Sequence, residues 1–149
     1  MTDPDIHVPP EGPPRVPMPS REIHAAMGEA AVVQMCRDFY AELETSPIRH
    51  LFAEDMARAS EHIASYLVEI FGGPPRFSAR FGPPMMRARH LRFAITPADR
   101  DVWLSCFRAV LADAPARYGF PAEHLPGFLA WLDGLSAWMV NRPPPGRAG

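Results

Sequence analysis

Six imidazoles are available to this chain, at His7, His24, His50, His62, His90 and His124. None pairs with another His, a Cys or a carboxylate in a tight ligand motif such as HExxH, so no zinc site is expected. GxSxG, P-loop and GxGxxG patterns are absent, which leaves hydrolase and nucleotide chemistry without support. A solitary histidine can still serve as an axial ligand. A haem asks for one imidazole and a flat apolar slot between helices, with a few polar groups at its edge. His90 is the candidate. It closes the run Met86, Arg87, Ala88, Arg89, His90 after a Gly- and Pro-rich stretch. A short helix there presents a ring to iron without burying many other polar groups. Taken alone, such a histidine is more often a surface or capping residue.

Positioning that ring is a matter for the whole chain. Its 149 residues suit a single domain, and 47% apolar composition is enough for a sizeable core. A net charge of -2 carries no basic excess, so neither nucleic acid nor a membrane surface is an expected partner. No basic-then-apolar leader and no membrane-length apolar run is present. Cys36 and Cys106 fall inside apolar helical patterns as small hydrophobes, with no ligand or disulfide spacing. A reduced, cytoplasmic setting is the default expectation.

The pattern between the ends is helical and shows no sustained strand alternation, which predicts an all-α domain over residues 20–141. Residues 1–19, dense in proline, read as a flexible or extended arm, and 142–149 as a flexible tail. Ser20 is placed to cap a first helix running to Met27. A second helix carries Val32, Val33, Cys36, Phe39, Tyr40 and Leu43 on one face. A third, Met56 to Phe71, turns Ala59, Ile63, Tyr66, Leu67 and Ile70 inward. Thr96, Pro97 and Asp99 mark a further start, followed by the stripe Val102, Trp103, Cys106, Phe107, Val110 and Leu111. Pro115 should end or kink that helix. A last helix, Ala122 to Asn141, buries Leu125, Phe128, Leu129, Leu132, Leu135 and Met139. Residues 72–96 are a long connection whose one helical candidate is Met85–Leu91.

Five pieces in order then resemble a known family: Phe39-Tyr40, Leu51–Asp55, Gly72–Pro75, Arg87–His90 and Arg100–Cys106. Together they resemble the truncated haemoglobins over residues 20–140. The Trp103 block, the GGP turn and the RxRH box are similar to group II. The resemblance implies a shortened globin fold, a two-over-two helical sandwich around haem b, in which the helix before the proximal histidine shrinks to about one turn. It implies His90 as the iron ligand, its second ring nitrogen on a backbone carbonyl. Tyr40 and Trp103 would turn donors into the distal pocket, with Ala59 and Ile63 beside them and Phe52 against the haem face. Arg89 first and His62 second would meet the propionates. Independently of the resemblance, the usual exposure of arginine reads Arg76, Arg80, Arg87 and Arg92 as a solvated loop face.

The sequence departs from the family pattern in a few places. Gly28-Glu29 replaces a glycine pair. Phe77 stands where Tyr is common, with the loss of one bond to a propionate. Pro83 replaces a polar residue, His50 lies near the pocket corner, and the arm is longer than usual. The function implied is reversible binding of oxygen, nitric oxide or carbon monoxide, with oxygen transport, nitric oxide detoxification or peroxidase-like turnover attached to it. The last two need an external reductase or oxidant. A homodimer is a further expected assembly. Two alternatives stand beside this. One is a gas or redox sensor that uses the Pro-rich arm. The other is a globin-like module without haem, which has no need of His90, Tyr40 and Trp103 together.

Overall fold

The computed structural model describes residues 6–52, 54–91 and 93–143. Among them the regular structure is helical: α1 (Ile23–Met27), α2 (Glu29–Glu44), α3 (Met56–Ile70), α4 (Arg76–Phe81), α5 (Met86–His90), α6 (Pro97–Leu111), α7 (Ala114–Tyr118) and α8 (Leu125–Met139). Single 3₁₀ turns at Arg49–Leu51 and Ala122–His124 precede α3 and α8. No helix among the described residues is long and apolar enough to cross a membrane.

The two-over-two arrangement follows from the buried faces. Val32, Met35, Cys36, Phe39 and Leu43 line the inner side of α2. That side packs most extensively on α3 and then on α6, while α6 also packs on α8. An aromatic column ties the pairs together. Phe39 stacks on Phe107 at 4.0 Å between centroids, and Phe107 meets Phe128 of α8 at 5.8 Å. Phe71, just past α3, closes on Phe128 at 5.1 Å. Phe39, Phe71, Phe107 and Phe128 are all buried, each worth roughly 2–3 kcal/mol in area removed from water.

Local signals hold where they were strongest. Thr96 accepts from the Asp99 amide at 3.1 Å and Asp99 accepts from the Thr96 amide at 3.0 Å, a reciprocal box with Pro97 in the first turn. Asp55 caps α3 through the Arg58 amide. Other boundaries move. Ser20 bonds the Glu22 amide, and α1 begins only at Ile23. Pro115 opens α7 instead of kinking α6, which ends at Leu111. The buried seam of α3 is Ser60, Ala64, Tyr66, Leu67, Val68 and Ile70. Ala59 and Ile63 are therefore half-buried at the edge of that seam.

The 72–96 connection contains a helix that its sequence does not announce. Glu69 of α3 reaches across to the start of α4, accepting from the Ser78 amide at 2.8 Å and from its hydroxyl at 2.5 Å. A carboxylate at a helix N-terminus satisfies orphan donors there. Ahead of α4 the chain crosses itself at Gly72, whose φ is +96°. A Cβ at that position would lie 1.9 Å from the Arg21 carbonyl oxygen, so only glycine fits.

The proline-rich arm, described from residue 6 onward, has no helix and lies along α8. Pro9 and Pro19 are buried. At Gly134 a Cβ would come within 3.0 Å of Val16 and 3.1 Å of Pro14. Residues 1–5 of the arm and 144–149 of the tail lie outside the described residues.

Candidate functional site

Helix α5 is five residues long, too short to be stable alone, and it begins from Met85 in the left-handed region at φ +41°. His90 ends it, half-buried. Its Nδ1 sits 2.6 Å from the Met86 carbonyl oxygen, one turn back. With the proton on Nδ1, donated to that carbonyl, the ring's lone pair is on Nε2, the tautomer an axial ligand needs.

The arginines around His90 do different work from one another. Arg89 donates to the carbonyls of Pro84 (2.6 Å), Phe81 (2.9 Å) and Pro83 (2.9 Å), and lies over the Phe77 ring at 5.2 Å. The residue read first as a propionate partner thus gathers the loop ahead of α5, and its charge stays whole because carbonyls are neutral. Arg87 is no part of a solvated face. It turns inward, onto the carbonyls of His7, Val140 and Trp138. Arg76 pairs with Glu29 at 2.5 Å, and Arg80 lies over Phe81. Arg92 lies outside the described residues.

Tyr40, Phe52 and Trp103 come together around Phe39. Phe39 meets the Tyr40 ring edge-on at 5.4 Å and the Trp103 ring at 5.6 Å. Phe52, from the corner before α3, meets Tyr40 at 5.9 Å. Among the described residues, nothing accepts a hydrogen bond from the Tyr40 hydroxyl or the Trp103 indole N–H. Burial, with a smaller contribution from Cys36, pushes the Tyr40 hydroxyl well above its ordinary value. It therefore remains an O–H donor across the physiological range. Burial likewise pushes the Cys36 and Cys106 thiols up, which keeps them inert. His50 is exposed.

His62 and Ile63 are neighbours on α3, which also packs on α4. The His62 ring lies 4.6 Å from Phe81, and Phe81 lies 5.0 Å from Phe77. Phe77 is buried and meets Tyr66 at 5.5 Å, so it belongs to the core beneath this edge. The His62 Nε2 is buried without a hydrogen-bond partner. Burial first, then the cations Arg58 and Arg80, lower its pKa below the usual imidazole value. An orphaned imidazole nitrogen within the field of two arginines suits an anionic group such as a propionate.

These features fit a haem. No group of three or more His, Cys, Asp or Glu among the described residues is arranged to hold a metal ion directly. A lone imidazole in the right tautomer, unaccepted donors in an aromatic wall and an orphaned nitrogen among cations suit a cofactor that brings its own equatorial ligands.

Asn141 was not visible as a functional residue from the sequence. It is fully buried, and its side chain bonds the His90 and Phe93 carbonyls and the Ile95 amide. The one signal was a polar residue closing an apolar run, Trp138-Met139-Val140-Asn141, before RPPP.

Comparison with known proteins places this arrangement. The family model described as bacterial-like globin matches residues 23–125. The group 2 truncated hemoglobin YjbI of Bacillus subtilis is 32% identical over 120 residues, 80% of this chain and 88% of that protein. The solved group II truncated hemoglobin of Bacillus anthracis superposes with a TM-score of 0.76 at 28% identity, covering 89% of this chain and 98% of that one. The hemoglobin of the thermophilic phototroph Chloroflexus aurantiacus gives 0.74 at 35% identity, covering 81% and 98%. A family match across most of the helical domain, joined to a shared two-over-two fold, means that this chain belongs to the bacterial-like globins as a truncated haemoglobin of the group II kind.

Proposed function

We propose that this globin binds haem b with His90 as its axial iron ligand and takes oxygen, nitric oxide or carbon monoxide on the opposite face, beside Tyr40 and Trp103. The observation that carries the reading is the pair of donors about Phe39 with no protein acceptor. Both side chains are half-buried, and a donor in an apolar wall with no protein acceptor is free to bond a small electronegative ligand. When bound, haem would supply an iron able to take a diatomic ligand.

The chain supplies the rest. With Nδ1 protonated and donating to the Met86 carbonyl, His90 keeps the lone pair of Nε2 for the iron. Tyr40 and Trp103 are preorganised donors in an apolar wall, where each bond is stronger than in water. Ala59 is small and leaves that face accessible, with Ile63 and Phe52 as apolar lining. His62 meets a propionate at the rim. Nitric oxide detoxification or peroxide turnover at this site would draw on an external reductase.

The test is optical. The chain expressed with haem should show a Soret band that His90→Ala loses or strongly alters. In Tyr40→Phe and Trp103→Phe, oxygen release should speed about tenfold, the equivalent of one hydrogen bond near 1.4 kcal/mol. An unchanged His90→Ala spectrum sinks the axial assignment. Unchanged release in both distal variants removes the donors from the ligand.

A further inference from the structure

The turn that carries His90 is mounted from behind. Asn141 donates through Nδ2 to the Phe93 carbonyl at 2.8 Å and to the His90 carbonyl at 3.3 Å. It accepts from the Ile95 amide at 2.9 Å through its side-chain oxygen, and its own amide donates to the Ile95 carbonyl at 3.0 Å. The connection from α5 to α6 thus hangs chiefly on one buried residue, with the Arg142 amide adding a bond to the Ile95 carbonyl at 3.1 Å. The Asn141 carbonyl accepts in turn from the His7 amide at 2.9 Å. Arg87, three residues before His90, donates to the His7 carbonyl and to the Val140 carbonyl, each at 2.9 Å, and to the Trp138 carbonyl. Both backbone polar groups of His7 are therefore engaged, its amide by Asn141 behind the His90 turn and its carbonyl by Arg87 within that turn.

We infer that Asn141, Arg87 and the backbone of His7 form a positioning lock for His90, so that seating of the N-terminal arm on α8 sets the orientation of the axial imidazole. The inference rests on the haem reading above and concerns the control of that same site. Its physical basis is the shortness of α5. One turn of helix does not fix its own direction, so tertiary bonds decide where the Met86 carbonyl and the His90 ring point. A shift of that turn changes the Nδ1 bond, and with it the basicity of the ligating nitrogen. The arm is seated at a second place, where Pro14 and Val16 lie on Gly134, with no side chain between. A bulky residue at 134 lifts the arm without touching the His90 turn.

The test uses the full-length, haem-loaded ferrous protein. Gly134→Leu occupies the seat of Pro14 and Val16, and leucine favours the helix there over glycine. His7→Pro removes the amide that Asn141 accepts. Hydrogen exchange over residues 6–19 reports the arm, and resonance Raman reports the iron–histidine stretching band. In the double variant, arm exchange should rise and the band should shift, while a haem-bound Soret spectrum persists. Haem loss should speed by about tenfold. A released arm with an unshifted band overturns the inference. So does an arm that stays protected in the double variant, since the named contacts then do not seat it. A wild-type chain that takes up no haem sinks the haem reading itself and the inference with it.

Discussion

Replacing Asn141 by alanine isolates the cost of the mount behind His90. The side chain is wholly buried and makes two short bonds, to the Phe93 carbonyl at 2.8 Å and the Ile95 amide at 2.9 Å, and a longer one to the His90 carbonyl at 3.3 Å. Truncation strands those partners where water does not readily replace the amide. At about 1.5 kcal/mol for each short bond, with the long one neglected, the loss is about 3 kcal/mol. A domain of this size is stable by roughly 5–15 kcal/mol, so the variant still folds. Its Tm should fall by about 6–12 °C, taking about 2–4 °C per kcal/mol. Asn141→Asp keeps an acceptor for Ile95 but sets a carboxylate oxygen against the Phe93 carbonyl, and should recover nothing. Urea unfolding of wild type and both variants gives the two differences. A loss under about 1 kcal/mol for alanine, or wild-type stability for aspartate, refutes the assignment of Asn141 as a satisfied buried hub.

Two further outcomes follow from the geometry. The depressed pKa of His62 means that, between that value and the ordinary one near 6.5, the unfolded chain binds more protons than the native one, so stability falls as pH falls. Comparing the haem-free protein with His62→Gln by urea unfolding at about pH 8 and about pH 5.5 should show a smaller acid loss in the variant; equal losses would exclude His62 as the source. Glu69→Ala should cost about 1–2 kcal/mol and raise amide exchange across α4 before it does so in α3, because the Ser78 amide and hydroxyl lose their acceptor.

How much of this was legible from residue order depends on how far each signal reaches along the chain. The α6 start was fully written in Thr96, Pro97 and Asp99, because a capping box closes within four residues. The faces of α2 and α8 follow largely from apolar spacing, although that spacing misses the buried Met35 and Trp131, and Leu125, Leu129 and Leu135 are only half-buried. On α3, Tyr66, Leu67 and Ile70 are buried as expected, and the seam departs from the expected set at Ser60 and Ala64 in place of Ala59 and Ile63. Ser60 and Ala64 are buried there, and Ala59 and Ile63 are half-buried at the edge. Helix α4 had no local signal, since its N-terminal acceptor is Glu69, nine residues earlier on another helix.

By itself the sequence determined an all-helical chain, its strongest boundaries, and the family whose pattern singles out His90, Tyr40 and Trp103. Those depend on contacts a few residues long or on an ordered set of motifs. Tertiary structure alone decided how the charged and polar residues are used. Arg89 serves the loop carbonyls, Arg87 and Asn141 serve the His90 turn, and the arm lies on α8 at Gly134. The Arg89 bonds stay within 5 to 8 residues, but the side-chain bonds of Arg87 and Asn141 join atoms 46 to 80 residues apart. A guanidinium or amide that bonds any carbonyl within reach carries no mark in the sequence of which one the fold will bring to it.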